Sequence, residues 1–228
     1  VNILTIITAR AGSKGLKNKN LLKLGSKTLI EHTFDLANNI PELGKRIVST
    51  DSKEIIEISK KYSNIEAPFI RPLEFSTDES KQIDVIFHAL DFFKNQFSFS
   101  HVILLQPTSP FRTREEIING INMLKEGSTS IIGVCNPVNH PADFLKFDGE
   151  KLNWLLKESK GQNRQNYEKY YFNNGAFYAT SLELLFEKKT VYDENSNILL
   201  MNNNSFIDID DKYDLELANK IIQNENKI

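Results

Sequence analysis

Two short stretches of the chain carry residues able to do chemistry on a charged substrate. Near the amino end, Arg10-Ala11-Gly12-Ser13-Lys14-Gly15 sets two cations and two glycines in six residues, with Lys19 and Asn20 close behind. Glycine lets backbone N–H groups approach an anion and the fixed charges add to their field, so this composition suits a phosphate cradle. A basic, solvated surface loop would read the same way. Near the carboxyl end, Phe206-Ile207-Asp208-Ile209-Asp210 alternates apolar and acidic residues. Extended backbone would turn both carboxylates to one face and both isoleucines to the other. Two like charges held that close favour a hard divalent cation such as Mg²⁺. The same two acids would also serve as caps of a final helix. Spacing excludes a P-loop at the first stretch, and no G-x-G-x-x-G is present for a dinucleotide.

The elements around these stretches alternate. Ile3, Leu4, Ile6 and Ile7 form an apolar, β-branched run that stops at Ala9, so a buried strand empties into the cationic loop. Thr28 to Asn39 puts Leu29, Ile30, Thr33, Phe34 and Ala37 on one helical face, broken by Pro41 and Gly44. Lys45 to Thr50 reads as a second strand, after which Asp51 caps a helix with Glu54 at its third position. Ala67 to Ile70 reads as a short strand running into an aperiodic loop, Arg71 to Asp78. Ile83, Ile86, Phe87, Leu90 and Phe93 mark an amphipathic helix, with His88 beside its buried face as a structural histidine. The next strand, His101 to Leu105, ends in Gln106-Pro107-Thr108-Ser109-Pro110-Phe111-Arg112, a loop stiffened by two prolines. Thr113 and Glu116 form a capping box for a helix through Lys125, and Ser130 to Cys135 is a further strand.

This rhythm predicts an α/β fold, a Rossmann-like, doubly wound and mostly parallel sheet that binds ligands outside the carboxyl ends of its strands. It changes over 137–172, where Asp143 to Phe147 and Lys151 to Leu156 flank Asp148-Gly149 as a hairpin excursion. Asn174 to Ala179 returns to the core, followed by a helix from Ser181 to Lys188. Short strands at Leu199 to Met201 and Phe206 to Ile209 and a closing helix from Asp211 to Asn224 complete the chain.

With 228 residues and 40% apolar content, the chain is long enough for one domain over 1–228 without a disulfide. A net charge of −2 gives no reason to expect nucleic acid or a membrane as partner, and it makes the basic loop a local feature. Cys135, the only cysteine, lies in an apolar run and reads as a buried strand residue in a reducing compartment. No stretch approaches the roughly 20 apolar residues that span a bilayer, and no signal peptide is read, so the expected location is cytoplasmic.

The pattern R-x-G-S-K-G-x-x-x-K-N at Arg10 to Asn20 resembles that of the acylneuraminate cytidylyltransferases, the CMP-sialic acid synthetases. Ser49-Thr50-Asp51, Arg71-Pro72, Leu105 to Pro110, Arg164-Gln165, Asn174-Gly175-Ala176 and Asp208-Ile209-Asp210 continue the resemblance in the same order. It implies transfer of CMP from CTP to the anomeric hydroxyl of a nonulosonic acid, a nine-carbon 2-keto sugar acid, with release of pyrophosphate. It implies that Arg10, Ser13, Lys14, Lys19 and Asn20 hold the triphosphate and ribose, and that Arg71 and the loop to Ser80 meet the cytosine. Gln106, Thr108, Ser109, Arg164 and Asn174 would line the sugar side, and Asp208 and Asp210 would hold Mg²⁺. Arg10, Lys14, Lys19, Asp208 and Asp210 would carry catalysis. On their own, Thr108 and Ser109 also read as helix-entry residues and Arg164 as a surface arginine.

Departures from that pattern bear on the sugar. Thr8 and Ala11 replace a usual Pro and Gly, His140-Pro141 is followed by Ala142-Asp143 where a basic residue is common, and Phe172 stands where an arginine is common. Sialic, legionaminic and pseudaminic acids all remain open as substrate. The other readings are a CMP-Kdo synthetase, acting on an eight-carbon acid, and a non-catalytic nucleotide-binding module. The excursion's apolar and aromatic content predicts a homodimer, the state the resemblance also implies, with Arg164 near the neighbouring site.

Overall fold

The computed structural model describes residues 1–12, 15–156 and 163–225, with Arg164 and Glu225 described by their backbone only. A six-stranded sheet organises the chain. Its strands are β1 (Ile3–Thr8), β4 (Lys45–Ser49), β5 (His101–Leu105), β6 (Ser130–Cys135), β9 (Phe172–Ser181) and β10 (Asn197–Leu200). Their order is β10-β6-β9-β5-β1-β4, and β9 runs antiparallel to both of its neighbours while every other pairing is parallel. Two small ribbons stand apart, β2 (Lys23–Leu24) with β3 (Lys27–Thr28), and β7 (Leu145–Phe147) with β8 (Leu152–Trp154).

Strands buried on both faces need apolar side chains in both directions, which is why β1 reads as an unbroken run. Its one polar interruption, Thr5, is fully buried and donates its hydroxyl to the Leu43 carbonyl at 2.7 Å. One face is covered by α1 (Leu29–Asn38), α2 (Lys53–Ser59) and α4 (Arg114–Lys125), through residues such as Phe34, Ile55 and Ile121. The other is covered by α3 (Gln82–Phe93) and α5 (Leu182–Lys188), through Ile86, Leu90 and Leu185. Thr28 with Glu31 and Thr113 with Glu116 form complete capping boxes at α1 and α4. A third cluster joins Leu24 and Leu29 to Ile207, Ile209 and Ala218, so α6 (Lys212–Glu225) holds the acidic segment against the β2–β3 ribbon.

Three sequence expectations are corrected. Ser52, not Asp51, caps α2, accepting from the Ile55 N–H, because Asp51 is engaged elsewhere. Ala67 to Ile70 is not a strand: pairing beside β4 stops at a single bridge between Ile47 and Glu66. Phe206 to Ile209 is not a strand either, since a 3-10 turn over Asn203–Phe206 leads into an unpaired segment. The apolar and polar alternation survives there because the backbone is still extended. Ile207 and Ile209 are buried, and the Ile209 N–H donates to the Thr108 carbonyl at 2.8 Å.

Within 137–172 the expected hairpin is formed by β7 and β8, both shorter than the pattern suggested. Its His140 has a structural part, stacking on Tyr167 with ring centroids 4.6 Å apart while Nδ1 accepts from the Ala142 N–H. His88 is also structural, packed edge-on against Phe69, with burial holding its pKa below the usual histidine range. Among the described residues, no helix is long and apolar enough to cross a membrane.

Candidate active site

A cleft of about 340 Å³ opens at the carboxyl ends of β1 and β5. Nine of the residues singled out from the sequence line it: Arg10, Lys19, Asn20, Arg71, Ser80, Gln106, Thr108, Asp208 and Asp210. This is the edge where parallel strands end and loops diverge, so side chains from distant parts of the chain converge there.

The cationic wall comes from the loop after β1. Asn18 turns the backbone into the left-handed region, φ 54°, and starts the short 3-10 turn Lys19–Leu21. The buried Asn20 amide donates to the Arg10 carbonyl at 3.0 Å, and the Ala11 N–H donates to Asp51 Oδ1 at 2.7 Å, so the loop is anchored on both sides of its turn. Lys19 Nζ pairs with Asp210 Oδ1 at 2.7 Å and Arg10 pairs with Asp78. Gly15 is required by packing, because a Cβ there would sit 2.4 Å from the Asp210 carbonyl oxygen. Ser13 and Lys14 lie outside the described residues.

The second wall is the loop from Arg71 to Ser80. Arg71 is buried, donating from Nη2 to the Ser49 carbonyl at 2.8 Å and from Nη1 to the Phe75 carbonyl at 3.3 Å. Burial lowers its pKa to about 10 against the pull of Asp51. Ser80 Oγ donates to the Glu74 carbonyl and accepts from the Thr77 N–H, each at 2.9 Å. Both residues therefore brace the loop as well as face the cleft. Beside them, Gln82 Nε2 is buried, lines the cleft and has no partner among the described residues.

The acidic floor is Asp208, half-buried and inward of the exposed Asp210. Its Oδ1 is buried without a hydrogen-bond partner among the described residues. Burial pushes its pKa above the usual carboxylate range, Asp210 adds to that, and the Thr108 hydroxyl and Lys19 oppose it. Gly175, at φ 69°, lets the β9 backbone come close: a Cβ there would stand 3.2 Å from Gln106 Oε1 and 3.6 Å from Asp208 Oδ2.

Two expected sugar-side residues do not present their side chains to this cleft. Asn174 is buried, its amide donating to Ser205 Oγ at 2.8 Å while its Oδ1 accepts from the Ala176 N–H. Ser109 is buried and donates to the Asn174 carbonyl at 3.4 Å. Both sit beneath Gly175, one layer too deep. The backbone of Arg164 lies in a 3-10 turn, Arg164–Asn166, in the excursion.

Asp78 and Gln82 line the cleft without being marked by the sequence pattern, and Asp51, expected as a cap, instead anchors the cationic loop through the Ala11 N–H. Arg112, expected at the carboxyl end of a strand with Gln106, Thr108 and Ser109, does not line the cleft. It is buried, donating to the Ala176 carbonyl at 2.7 Å, to Thr33 Oγ1 at 2.8 Å and to the Gln106 carbonyl at 2.7 Å. Burial pulls its pKa down to about 9, with Asp208 and Glu116 opposing. The available signal was an arginine directly after a proline-stiffened strand end.

A cytidylyltransferase family model matches residues 4–227, nearly the whole chain. The chain belongs to that family. This cytidylyltransferase is 34% identical over 230 residues to the N-acylneuraminate cytidylyltransferase of Escherichia coli, covering 99% of the chain and 53% of that protein. It therefore spans about half the length of that relative. Against the CMP-N,N'-diacetyllegionaminic acid synthase of Legionella pneumophila it is 33% identical over 228 residues, 98% of this chain and 97% of that protein. A pseudaminic acid cytidylyltransferase of Campylobacter jejuni is 27% identical over 227 residues, with 98% and 97% covered. The fold is shared with CMP:2-keto-3-deoxy-manno-octonic acid synthetase, solved with CTP, at a TM-score of 0.69 and 14% identity, covering 99% of this chain and 100% of that one.

Proposed function

We propose that this cytidylyltransferase transfers CMP from CTP to the anomeric hydroxyl of a nonulosonic acid of the sialic, legionaminic or pseudaminic type. The sugar oxygen attacks the α-phosphorus, the bond to the β-phosphate oxygen breaks, and pyrophosphate leaves. The observation that carries this reading is the near end-to-end match to the Legionella synthase at 33% identity. Likeness to the octonic acid synthetase, at 14% identity, speaks for the fold and leaves the eight-carbon reading without support of its own. The Asp208 Oδ1, without a hydrogen-bond partner among the described residues, disfavours a non-catalytic module, since an inert binding site has no reason to keep a costly buried carboxylate.

Phosphoryl transfer depends on positioning and charge neutralisation, and the cleft offers both. Arg10 and Lys19, with Ser13 and Lys14 beside them in sequence, bind the triphosphate by exchanging Asp78 and Asp210 for phosphate oxygens. Asn20 keeps the loop in shape through the Arg10 carbonyl. Arg71 and Ser80 hold the base-side loop, and the free Gln82 amide donor faces an acceptor on the base. Gln106 and Thr108 face the sugar acid. Asp208 and Asp210 fit Mg²⁺, because they offer hard oxygens and one of these is buried without a partner. When bound, the ion supplies charge neutralisation at the phosphate and acidifies the sugar hydroxyl.

Pyrophosphate release with CTP and a panel of nonulosonic acids tests the function, and equal turnover with UTP, ATP or GTP would overturn it. Lys19→Ala is expected to lower kcat/KM for CTP by ten- to a hundredfold, from loss of a charge-assisted contact worth about 1.5–3 kcal/mol. Unchanged steady-state kinetics would make Lys19 a structural partner of Asp210 alone.

We read 1–228 as one domain that works in the cytoplasm, consistent with a buried free Cys135, and as a homodimer. The support for dimerisation is the excursion, where Phe144, Leu145, Phe147, Leu152 and Leu155 are all exposed on a two-stranded ribbon. Such a ribbon is marginal in water and this surface needs a cover. Light scattering at micromolar concentration is expected to give twice the chain mass; an active monomer would refute the dimer.

A further inference from the structure

Residues 173–178 of β9 hold a carboxamide that the sequence pattern did not mark, on Asn173, bonded to Gly175, which itself approaches the cleft residues Gln106 and Asp208. Pairing of β9 with β6 shifts register between Ile132 and Val134, leaving the β9 residues between Asn173 and Tyr178 out of the regular ladder. Just before them, Asn173 Oδ1 accepts from the Tyr178 hydroxyl at 2.9 Å and from the Gly175 N–H at 3.3 Å. These two donors fix which way the amide faces, oxygen toward the protein. Asn173 is exposed, and among the described residues its Nδ2 donates to no protein acceptor. Tyr178 is held in turn by stacking on Tyr192, with ring centroids 5.7 Å apart and planes 17° from parallel.

We propose that Asn173 is a specificity-determining residue for the sugar acid, its clamped NH₂ donating to the substrate's carboxylate. The assignment rests on the nonulosonic acid reading above. In a 2-keto acid the carboxylate is bonded to the carbon that carries the attacking hydroxyl, so it must lie next to the reacting phosphorus. There it meets Asp208, whose Oδ2 is 3.6 Å from a Cβ placed on Gly175. A second carboxylate so close needs hydrogen-bond donors. Arg10 and Lys19 stand on the phosphate side, and Arg112 spends its donors on carbonyls and Thr33 beneath the cleft. Flanking Gly175 are two carboxamides. Gln106 turns its oxygen toward Gly175, whereas Asn173 has its oxygen occupied and its nitrogen free. Asn174, which the resemblance placed among the residues lining the sugar side, has its amide committed to Ser205. Burial, with Asp208 nearby, holds the Tyr178 phenol above the usual tyrosine range, so it remains a proton donor at neutral pH.

The test is steady-state pyrophosphate release by the full chain, parent against Asn173→Asp and Tyr178→Phe, with the free sugar acid and with its methyl ester. Asn173→Asp keeps the oxygen that Tyr178 and Gly175 bind but replaces the donor with an anion. It is expected to raise KM for the acid by roughly tenfold or more while KM for CTP is unchanged. The parent's preference for acid over ester should collapse in this variant, which a merely structural role would not cause. Tyr178→Phe frees the amide to rotate and is expected to give a smaller shift in the same direction. An unchanged KM for the acid in Asn173→Asp, or equal losses for acid and ester, would overturn the assignment. Failure of the parent to turn over any nonulosonic acid would overturn the underlying reading as well.

Discussion

Asp208→Asn is expected to remove most turnover, by about a hundredfold or more, while leaving the free protein at least as stable as the parent. The two effects have one cause. Asp208 Oδ1 is buried without a hydrogen-bond partner among the described residues, and burial raises the carboxyl pKa. A carboxylate whose folded pKa exceeds its unfolded value destabilises the fold above that folded pKa, and the cost disappears as pH falls through it. Replacing it with a neutral amide should therefore stabilise the protein by about 1 kcal/mol at neutral pH. The gain should shrink toward acid pH, where the parent's carboxyl is protonated too. Thermal unfolding at several pH values, paired with pyrophosphate release, reads both effects. Chelation of divalent cations is expected to abolish parent activity. A variant that lost stability and kept near-normal turnover would make Asp208 a structural residue.

Arg112→Met is expected to cost about 3 kcal/mol of stability, the largest loss of any single change around the cleft. The guanidinium is buried and satisfies the Ala176 and Gln106 carbonyls and the Thr33 hydroxyl at once. Without it, the Ala176 carbonyl and the Thr33 hydroxyl lose their guanidinium donor in a buried setting, at about 1–3 kcal/mol each before relaxation, the Gln106 carbonyl keeps only the Ser109 N–H, and Asp208 loses a nearby cation. Lysine is no rescue, because a single ammonium cannot span three acceptors that a planar fork reaches together. Denaturant titration should show both variants shifted to a lower midpoint with an unchanged slope. A shift under 1 kcal/mol in Arg112→Met would mean that solvent fills the role.

The alternation of elements and the capping box at Thr113 were legible from residue order, and the resemblance placed the cationic loop with Asp208 and Asp210. Local rules sufficed there: periodicity marks buried faces, a Ser/Thr-x-x-Glu pattern marks a helix start, and parallel strands deliver their loops to one edge. Local rules failed where a side chain serves a distant partner. Asp51 was legible as a cap, but its carboxylate is taken by the Ala11 N–H and Ser52 caps instead. Ala67 to Ile70 had a strand's composition and Phe206 to Ile209 a strand's alternation, yet pairing depends on a neighbour in register, which neither segment has.

Which residues of a motif face the ligand was also beyond the sequence. Asn174-Gly175-Ala176 names a triplet, but the bulge opposite Ile132 and Val134 and the φ of 69° at Gly175 decide that Asn174 turns inward and Asn173 outward. The sequence by itself determined the family and the sheet, because these follow from residue type, spacing and motif order, and it marked Arg10, Lys19, Arg71, Asp208 and Asp210 among the residues that line the cleft. Tertiary structure alone decided the Arg10–Asp78 and Lys19–Asp210 pairs, the buried Arg112 and the partnerless oxygen of Asp208. Their partners lie up to 191 residues apart along the chain, and only folding brings them within reach of one another.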